Sequence, residues 1–235
     1  MSNPGIIVLT NDDGVDAPGL AGLREAVRSL AEALVFAPVG PQSGCGHVVT
    51  NHRPIGLVER PGGEVAVDGT PADCVRVAIH RSGGRIAWIL SGINAGGNLG
   101  ADLHHSGTVA AVREAAIHGI PGIALSHYIA RGRAVDWARA ARWAAPVLVE
   151  LMARPPGPGM FWNVNLPHPE PDAPDPEVVF CPVDPSPLPL GFREVPEGLL
   201  YAGDYQARPR VEGSDVATCF GGRIAVSLVQ VMASS

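Results

Sequence analysis

Long apolar runs, basic clusters and closely spaced cysteines are all missing from this chain, and each absence removes a class of protein. No stretch approaches the roughly 20 apolar residues that span a membrane. The opening MSNPGIIVLT has neither the basic region nor the long apolar stretch of a signal peptide. A soluble, cytoplasmic protein with no membrane partner is expected. No run of Lys or Arg occurs and the formal charge is -6, so nothing marks a nucleic-acid polymer or a polybasic membrane contact. A nucleotide-sized anion remains open, because local donors bind it whatever the net charge. The four cysteines, Cys45, Cys74, Cys181 and Cys219, form no Cys-x-x-Cys and read as reduced thiols, mostly core fillers.

Several catalytic signatures are missing too. There is no Gly-x-x-x-x-Gly-Lys-Ser/Thr, so P-loop nucleoside triphosphatase chemistry has no support. GINAGGNLG is no dinucleotide fingerprint, since its glycines fall at 92, 96, 97 and 100 and the next helix comes too late. No Gly-x-Ser-x-Gly elbow is present, which disfavours a serine hydrolase. No Asp-x-Asp follows the first apolar run, which argues against an aspartyl-phosphate enzyme. Within phosphoryl chemistry, direct attack by a metal-activated water remains.

What is present is a globular chain of 235 residues, 46% hydrophobic and 17% charged. Ile6 to Leu9 reads as a strand buried on both faces. Leu20, Leu23, Val27, Leu30 and Leu34 recur at helical spacing. Leu34 to Ala37 reads as a second strand ending at Pro38, which completes a βαβ unit. Val65 to Val67 is a short strand, and Thr70-Pro71 opens a helix as N-cap and first helical residue. Ile86 to Leu90 is a strand, Thr108 to His118 a helix closed by Gly119, and Ile123 to Ser126 a strand. Ala134 to Met152 reads as a helix bent at Pro146. This alternation predicts a doubly wound α/β fold with a mostly parallel sheet.

Composition changes near Arg154. We read residues 1–153 as the α/β core and 154–235 as a proline-rich elaboration, packed on the core or on a neighbouring subunit. It carries extra strands, the extended connection PHPEPDAPDPE and a last strand from Ile224 to Val231. No internal repeat occurs.

Ligands of such folds bind outside the carboxyl ends of the strands, which selects three loops. The first holds Asn11, Asp12, Asp13 and Gly14. Adjacent Asp residues read either as a turn with a helix cap or as a pair whose repulsion a divalent cation relieves. The second loop holds Ser43 and Gly44 in QSGCG, where glycine permits close backbone approach. The third holds Asn94 and Asn98. Asp12, Asp13, Ser43 and Asn94 make an oxygen-only donor set, suited to Mg²⁺, Mn²⁺ or Ca²⁺ rather than zinc or copper. Ser106, Gly107 and Thr108 open a helix, where free N–H groups and hydroxyls hold a phosphate or simply cap the helix. His47, His52, His104 and His105 lie in or near these loops as candidate proton carriers or as solvated side chains.

Taken together, VLTNDDGVDAPGL, the Ser-Gly at 43–44, GTPADCV, SGINAGGNLG and SGTVAAVREA resemble the stationary-phase survival protein SurE family. The resemblance is dense over about residues 5 to 126. It implies a Rossmann-like fold and metal-dependent phosphatase activity on nucleoside 5′- and 3′-monophosphates, in some members also on short polyphosphate. It places one divalent cation per subunit, Mg²⁺ or Mn²⁺, on Asp12, Asp13, Ser43 and Asn94. It places phosphate on Ser106, Gly107 and Thr108, with Asn98 nearby. We add Asn11 and Gly44 of the first two loops as candidate phosphate-binding residues. Either Asp13 or a nearby His orients the attacking water. It also implies a C-terminal extension exchanged between subunits of a homodimer or homotetramer. This chain departs from the pattern at residues 185–215, at SDVAT and at AVSLVQVM. A nucleotide-binding protein with little turnover is the alternative those departures leave, and a hydrolase of another small anion is a third.

Overall fold

The computed structural model describes residues 5–231. The opening MSNP, part of the stretch read above for a signal peptide, lies outside them. Among the described residues eleven strands and five α-helices follow in chain order: β1 (Ile6–Thr10), α1 (Pro18–Val27), β2 (Ala33–Pro38), β3 (Leu57–Glu59), β4 (Val65–Val67), α2 (Pro71–Ser82), β5 (Ile86–Ala95), α3 (Gly107–Ile117), β6 (Gly122–His127), α4 (Trp137–Met152), β7 (Met160–Leu166), β8 (Val178–Phe180), β9 (Phe192–Val195), β10 (Gly198–Tyr201), α5 (Asp215–Phe220) and β11 (Ile224–Gln230).

Nine of the strands form one sheet in the order β3-β4-β2-β1-β5-β6-β7-β11-β8. β4, β2, β1, β5, β6 and β7 run parallel, and β11 enters antiparallel beside β7. The order reverses around β1, so the loops after β1 and β5 open into the crevice where ligands of doubly wound sheets bind. β7 and β11, from the proline-rich half of the chain, are thus integral strands of this sheet.

Each face of the sheet carries a helix pair because the strands alternate sides. Ile7, Leu9, Leu90 and Leu125 meet Leu23 of α1 and Leu148 of α4 on one face. Val8, Ile89 and Ala124 meet Val75 of α2 and Val112 of α3 on the other. Burial on both faces explains the unbroken apolar runs of β1 and β6. α2 begins as predicted: the Thr70 hydroxyl accepts from the Asp73 N–H, and the Asp73 carboxylate accepts from the Thr70 N–H. Cys45, Cys74, Cys181 and Cys219 are all free thiols. Among the described residues no helix is long and apolar enough to cross a membrane.

Three boundaries differ from the sequence reading by more than one residue. α1 stops at Val27, although helical spacing continued through Leu30 and Leu34. Leu34 pairs with Val8 in the parallel ladder, and that tertiary pairing outweighs local periodicity. α4 starts at Trp137 because Asp136 caps it, its carboxylate accepting from the Arg139 N–H. β5 runs five residues past Leu90, to Ala95, so Asn94 stands on a strand end, in register with Ser126 of β6.

β9 and β10 form a separate hairpin, within the segment where the chain departs from the family pattern. Its neighbourhood leaves Leu190, Phe192, Leu199 and Tyr201 more than half exposed.

Candidate active site

The loop after β1 is closed by Asn11. Its amide donates to the Gly14 carbonyl at 2.8 Å, and its oxygen accepts from the Gly14 N–H at 3.2 Å. Gly14 turns with φ 104°, a conformation that disfavours any side chain, and packs against the backbone of Gly40. This clamp fixes the directions of Asp12 and Asp13.

Asp12 turns inward and is 4% exposed. Its carboxylate accepts a short hydrogen bond from the Thr108 hydroxyl at the start of α3. Burial pushes the Asp12 carboxyl above its ordinary value. The Thr108 bond opposes that shift and the Asp13 charge adds to it. Asp13 is half-buried and accepts from the Ala95 N–H at 3.2 Å. The carbonyl of Asp12 accepts from the Gln42 N–H at 2.7 Å. These three contacts tie the β1 loop to the end of β5, to the start of α3 and to the loop that carries Ser43.

Ser43 and Gly44 are exposed on that second loop, Gly44 at φ 74°. The Asn94 amide donates to the Gly96 carbonyl at 2.7 Å, which leaves its oxygen without a hydrogen-bond donor among the described residues. Asn98 is used differently. Its amide donates to Ser126, its N–H donates to Asn165, and its carbonyl accepts from Asn163 and Asn165. Asn98 therefore anchors the third loop. Ser106 caps α3, its hydroxyl accepting from the Val109 N–H at 3.0 Å. Gly107 has no room for a side chain, since a Cβ there would lie 2.8 Å from the Asp12 Cβ. The Thr108 hydroxyl is committed to Asp12, so the α3 start offers an anion its leading N–H groups.

Among the described residues no group of three or more His, Cys, Asp or Glu can hold a metal ion. A cation here would rest on two carboxylates and neutral Ser and Asn oxygens. That set fits a hard divalent ion, and the repulsion between the buried Asp12 and the half-buried Asp13 is the local reason one would bind. A cavity of about 620 Å³, lined in part by His127, Arg139 and His168, contains none of the predicted residues.

Of the four histidines, His52, His104 and His105 are exposed, while His47 donates to Glu114 of α3 at 2.8 Å. Glu114, which the sequence reading missed, is a buried carboxylate that also bonds His118. A charged residue on the packed face of an apolar helix was the available signal. The His47 bond holds the Glu114 carboxyl below its ordinary value, against burial and with help from His118. Stability from this pairing is complete above the ordinary carboxyl value of 4.5 and is lost as pH falls through the lower folded value. Glu114→Gln is therefore expected to flatten the acid limb of Tm plotted against pH. An unchanged acid limb would mean that this contact does not hold the Ser43 loop onto α3.

Known proteins resemble this chain along its length. The family model described as "Survival protein SurE" matches residues 7–183. A protein of Nostoc sp. is 53% identical, covering 96% of this chain and 99% of its own. A protein named 5′-nucleotidase SurE from Rhizorhabdus wittichii is 41% identical over 88% of this chain and 78% of its own. The crystal structure of the SurE protein from Aquifex aeolicus superposes with a TM-score of 0.85 at 28% identity, covering 98% of this chain and 95% of that one. With the family match, these relatives and the shared doubly wound sheet together, this chain belongs to the SurE family.

Proposed function

We propose that this chain is a divalent-metal-dependent phosphomonoesterase acting on nucleoside 5′-monophosphates, with 3′-monophosphates and short polyphosphate as further substrates. The observation that carries the reading is the buried Asp12 carboxylate, held against the start of α3 by Thr108 with Asp13 beside it. Its SurE membership and the 5′-nucleotidase name of the Rhizorhabdus relative support the same reading.

Asp12, Asp13, Ser43 and Asn94 hold Mg²⁺ or Mn²⁺. The ion, when bound, offsets phosphoryl charge and lowers the pKa of a coordinated water. Ser106 and the leading N–H groups of α3 hold the phosphate oxygens and stabilise charge that builds on them. Gly44 lets the second loop approach the ligand closely, and Asn11 keeps Asp12 and Asp13 aimed. Asp13 orients the water, since His47 is spent on Glu114 and His52, His104 and His105 are exposed. Subunits assemble as a homodimer or homotetramer through the apolar β9–β10 hairpin, and the enzyme works in the cytoplasm.

Purified protein is expected to release inorganic phosphate from nucleoside 5′-monophosphates with Mn²⁺ or Mg²⁺, to stop in EDTA and to recover when metal is returned. Tight nucleotide binding with no turnover across a metal panel would instead make it a binding protein.

A further inference from the structure

Arg208 heads the fully buried side chains by volume, only 1% exposed. A guanidinium taken out of water must be paired. Its Nη1 donates to the Asp102 carboxylate at 2.7 Å and its Nη2 to the Leu99 carbonyl at 3.1 Å. The Tyr205 hydroxyl donates to the same Asp102 oxygen at 2.6 Å, and the Tyr205 ring lies 4.9 Å from the guanidinium. Nearby, the Gly100 N–H donates to the buried Asp215 carboxylate at 2.9 Å. Gly100 admits this closeness because it has no side chain: a Cβ would fall 3.1 Å from the Arg208 Nη2 and 3.0 Å from the Asp184 carbonyl.

These contacts join two distant parts of the chain. Residues 205–215 close over the short 3₁₀ turn Gly100–His104, which leads into α3. The turn transmits what it receives. The Asp102 carbonyl accepts from the Ser106 N–H at 3.1 Å and the His105 N–H at 3.0 Å. Ser106 caps α3, and Thr108 two residues on holds Asp12. Asp102 therefore links the helix start to the ion pair directly: its side chain binds Arg208 and its backbone carbonyl accepts from Ser106.

We propose that Arg208 is a positioning residue for phosphate. It locks the turn at Asp102 and Leu99, and so sets where Ser106 and the first N–H groups of α3 stand. The proposal rests on the function proposed above. An exposed ion pair would do little here. Here the guanidinium is buried and the Asp102 side chain is 13% exposed, so loss of the cation removes the charge partner of Asp102 and the donor to the Leu99 carbonyl together and releases the turn from residues 205–215.

The test uses the full-length, Mn²⁺-loaded enzyme and inorganic phosphate as the probe. Arg208→Lys keeps the charge but loses the fork that reaches Asp102 and Leu99 together. Tyr205→Phe removes one bond to Asp102 and keeps the ion pair. Arg208→Met removes the cation. The inhibition constant for phosphate is expected to rise about tenfold or more in Arg208→Met, with smaller rises of the same sign in Arg208→Lys and Tyr205→Phe. The Mn²⁺ concentration for half-maximal activity should stay at the wild-type value. A purely structural role would lower Tm and leave the phosphate constant of the folded fraction unchanged. If Arg208→Met fails to fold, the two milder variants decide. An active wild type whose folded variants keep the wild-type phosphate constant overturns this inference alone. A wild type with neither turnover nor phosphate inhibition overturns the proposed function and this inference with it.

Discussion

Asp12→Asn is expected to lower kcat/KM for nucleoside 5′-monophosphates by at least about a thousandfold. The substitution is nearly isosteric. The amide oxygen can still accept from the Thr108 hydroxyl, so the loop has no steric reason to move. What disappears is one of the two negative charges that would face the proposed cation of charge +2. Asp13 alone leaves that charge half compensated, and the half-saturating Mn²⁺ concentration should rise. Stability should move the other way. Burial, with a contribution from Asp13, raises the Asp12 carboxyl above its ordinary value. A raised carboxyl pKa means that ionisation disfavours the metal-free fold, and that penalty sets in as pH rises past the ordinary value near 3.8. Asn carries no such penalty. The metal-free variant should therefore melt at or above the wild-type temperature at neutral pH while catalysis is lost. Turnover within about tenfold of wild type would remove Asp12 from the mechanism.

Gly107→Ala should cost about a hundredfold or more in kcat/KM, although local propensity favours it. Gly107 is the first residue of α3, and alanine is the better helix former by roughly 1 kcal/mol. The objection is tertiary. An added Cβ would stand 2.8 Å from the Asp12 Cβ, 3.0 Å from its Oδ2 and 3.2 Å from the Cys45 Sγ. Asp12 is buried and clamped at both ends of its loop, so it cannot swing aside. Either α3 or the β1 loop must retreat by several tenths of an ångström, and a preorganised site tolerates such shifts poorly. Circular dichroism should show the helix intact while turnover falls. Near wild-type turnover would show that the α3 start does not fix Asp12.

The pattern of strands and helices from Ile6 to Ser126 was legible because β-branched apolar runs and helical spacing alternate there, and both faces of the sheet are buried. The capped start of α2 was legible because Thr70 and Pro71 act over one turn, and the structure adds Asp73 as the second half of the capping box. The same local logic failed at Leu34, where strand pairing overrode helical spacing. It failed also at Asn94, since β5 continues through Gly92 while glycine suggests an ending. β3, β9, β10 and α5 are short, and few residues carry their pattern.

Asp12, Asp13, Ser43, Asn94 and Ser106–Thr108 were selected from residue type and from the rule that ligands gather at strand ends, and the structure joins Asp13 to the end of β5 and Asp12 to the start of α3. The contacts each side chain makes were not legible. Thr108 reads as a phosphate ligand in one dimension, yet its hydroxyl faces Asp12. Asn98 bonds Ser126, Asn163 and Asn165 through its amide and backbone, contacts that residue type alone does not announce.

By itself the sequence determined the α/β alternation and the oxygen donors that its loops offer at the strand ends, because periodicity, turn chemistry and charge act over a few residues. Only the tertiary structure decided that Glu114 fastens the His47 loop, that Gly107 must be bare, and that Arg208 reaches Asp102 across 106 positions of chain. Those are contacts between surfaces that meet only after the sheet has formed. A side chain's partner there is set by packing and by the need to pair every buried charge, and neither leaves a local pattern.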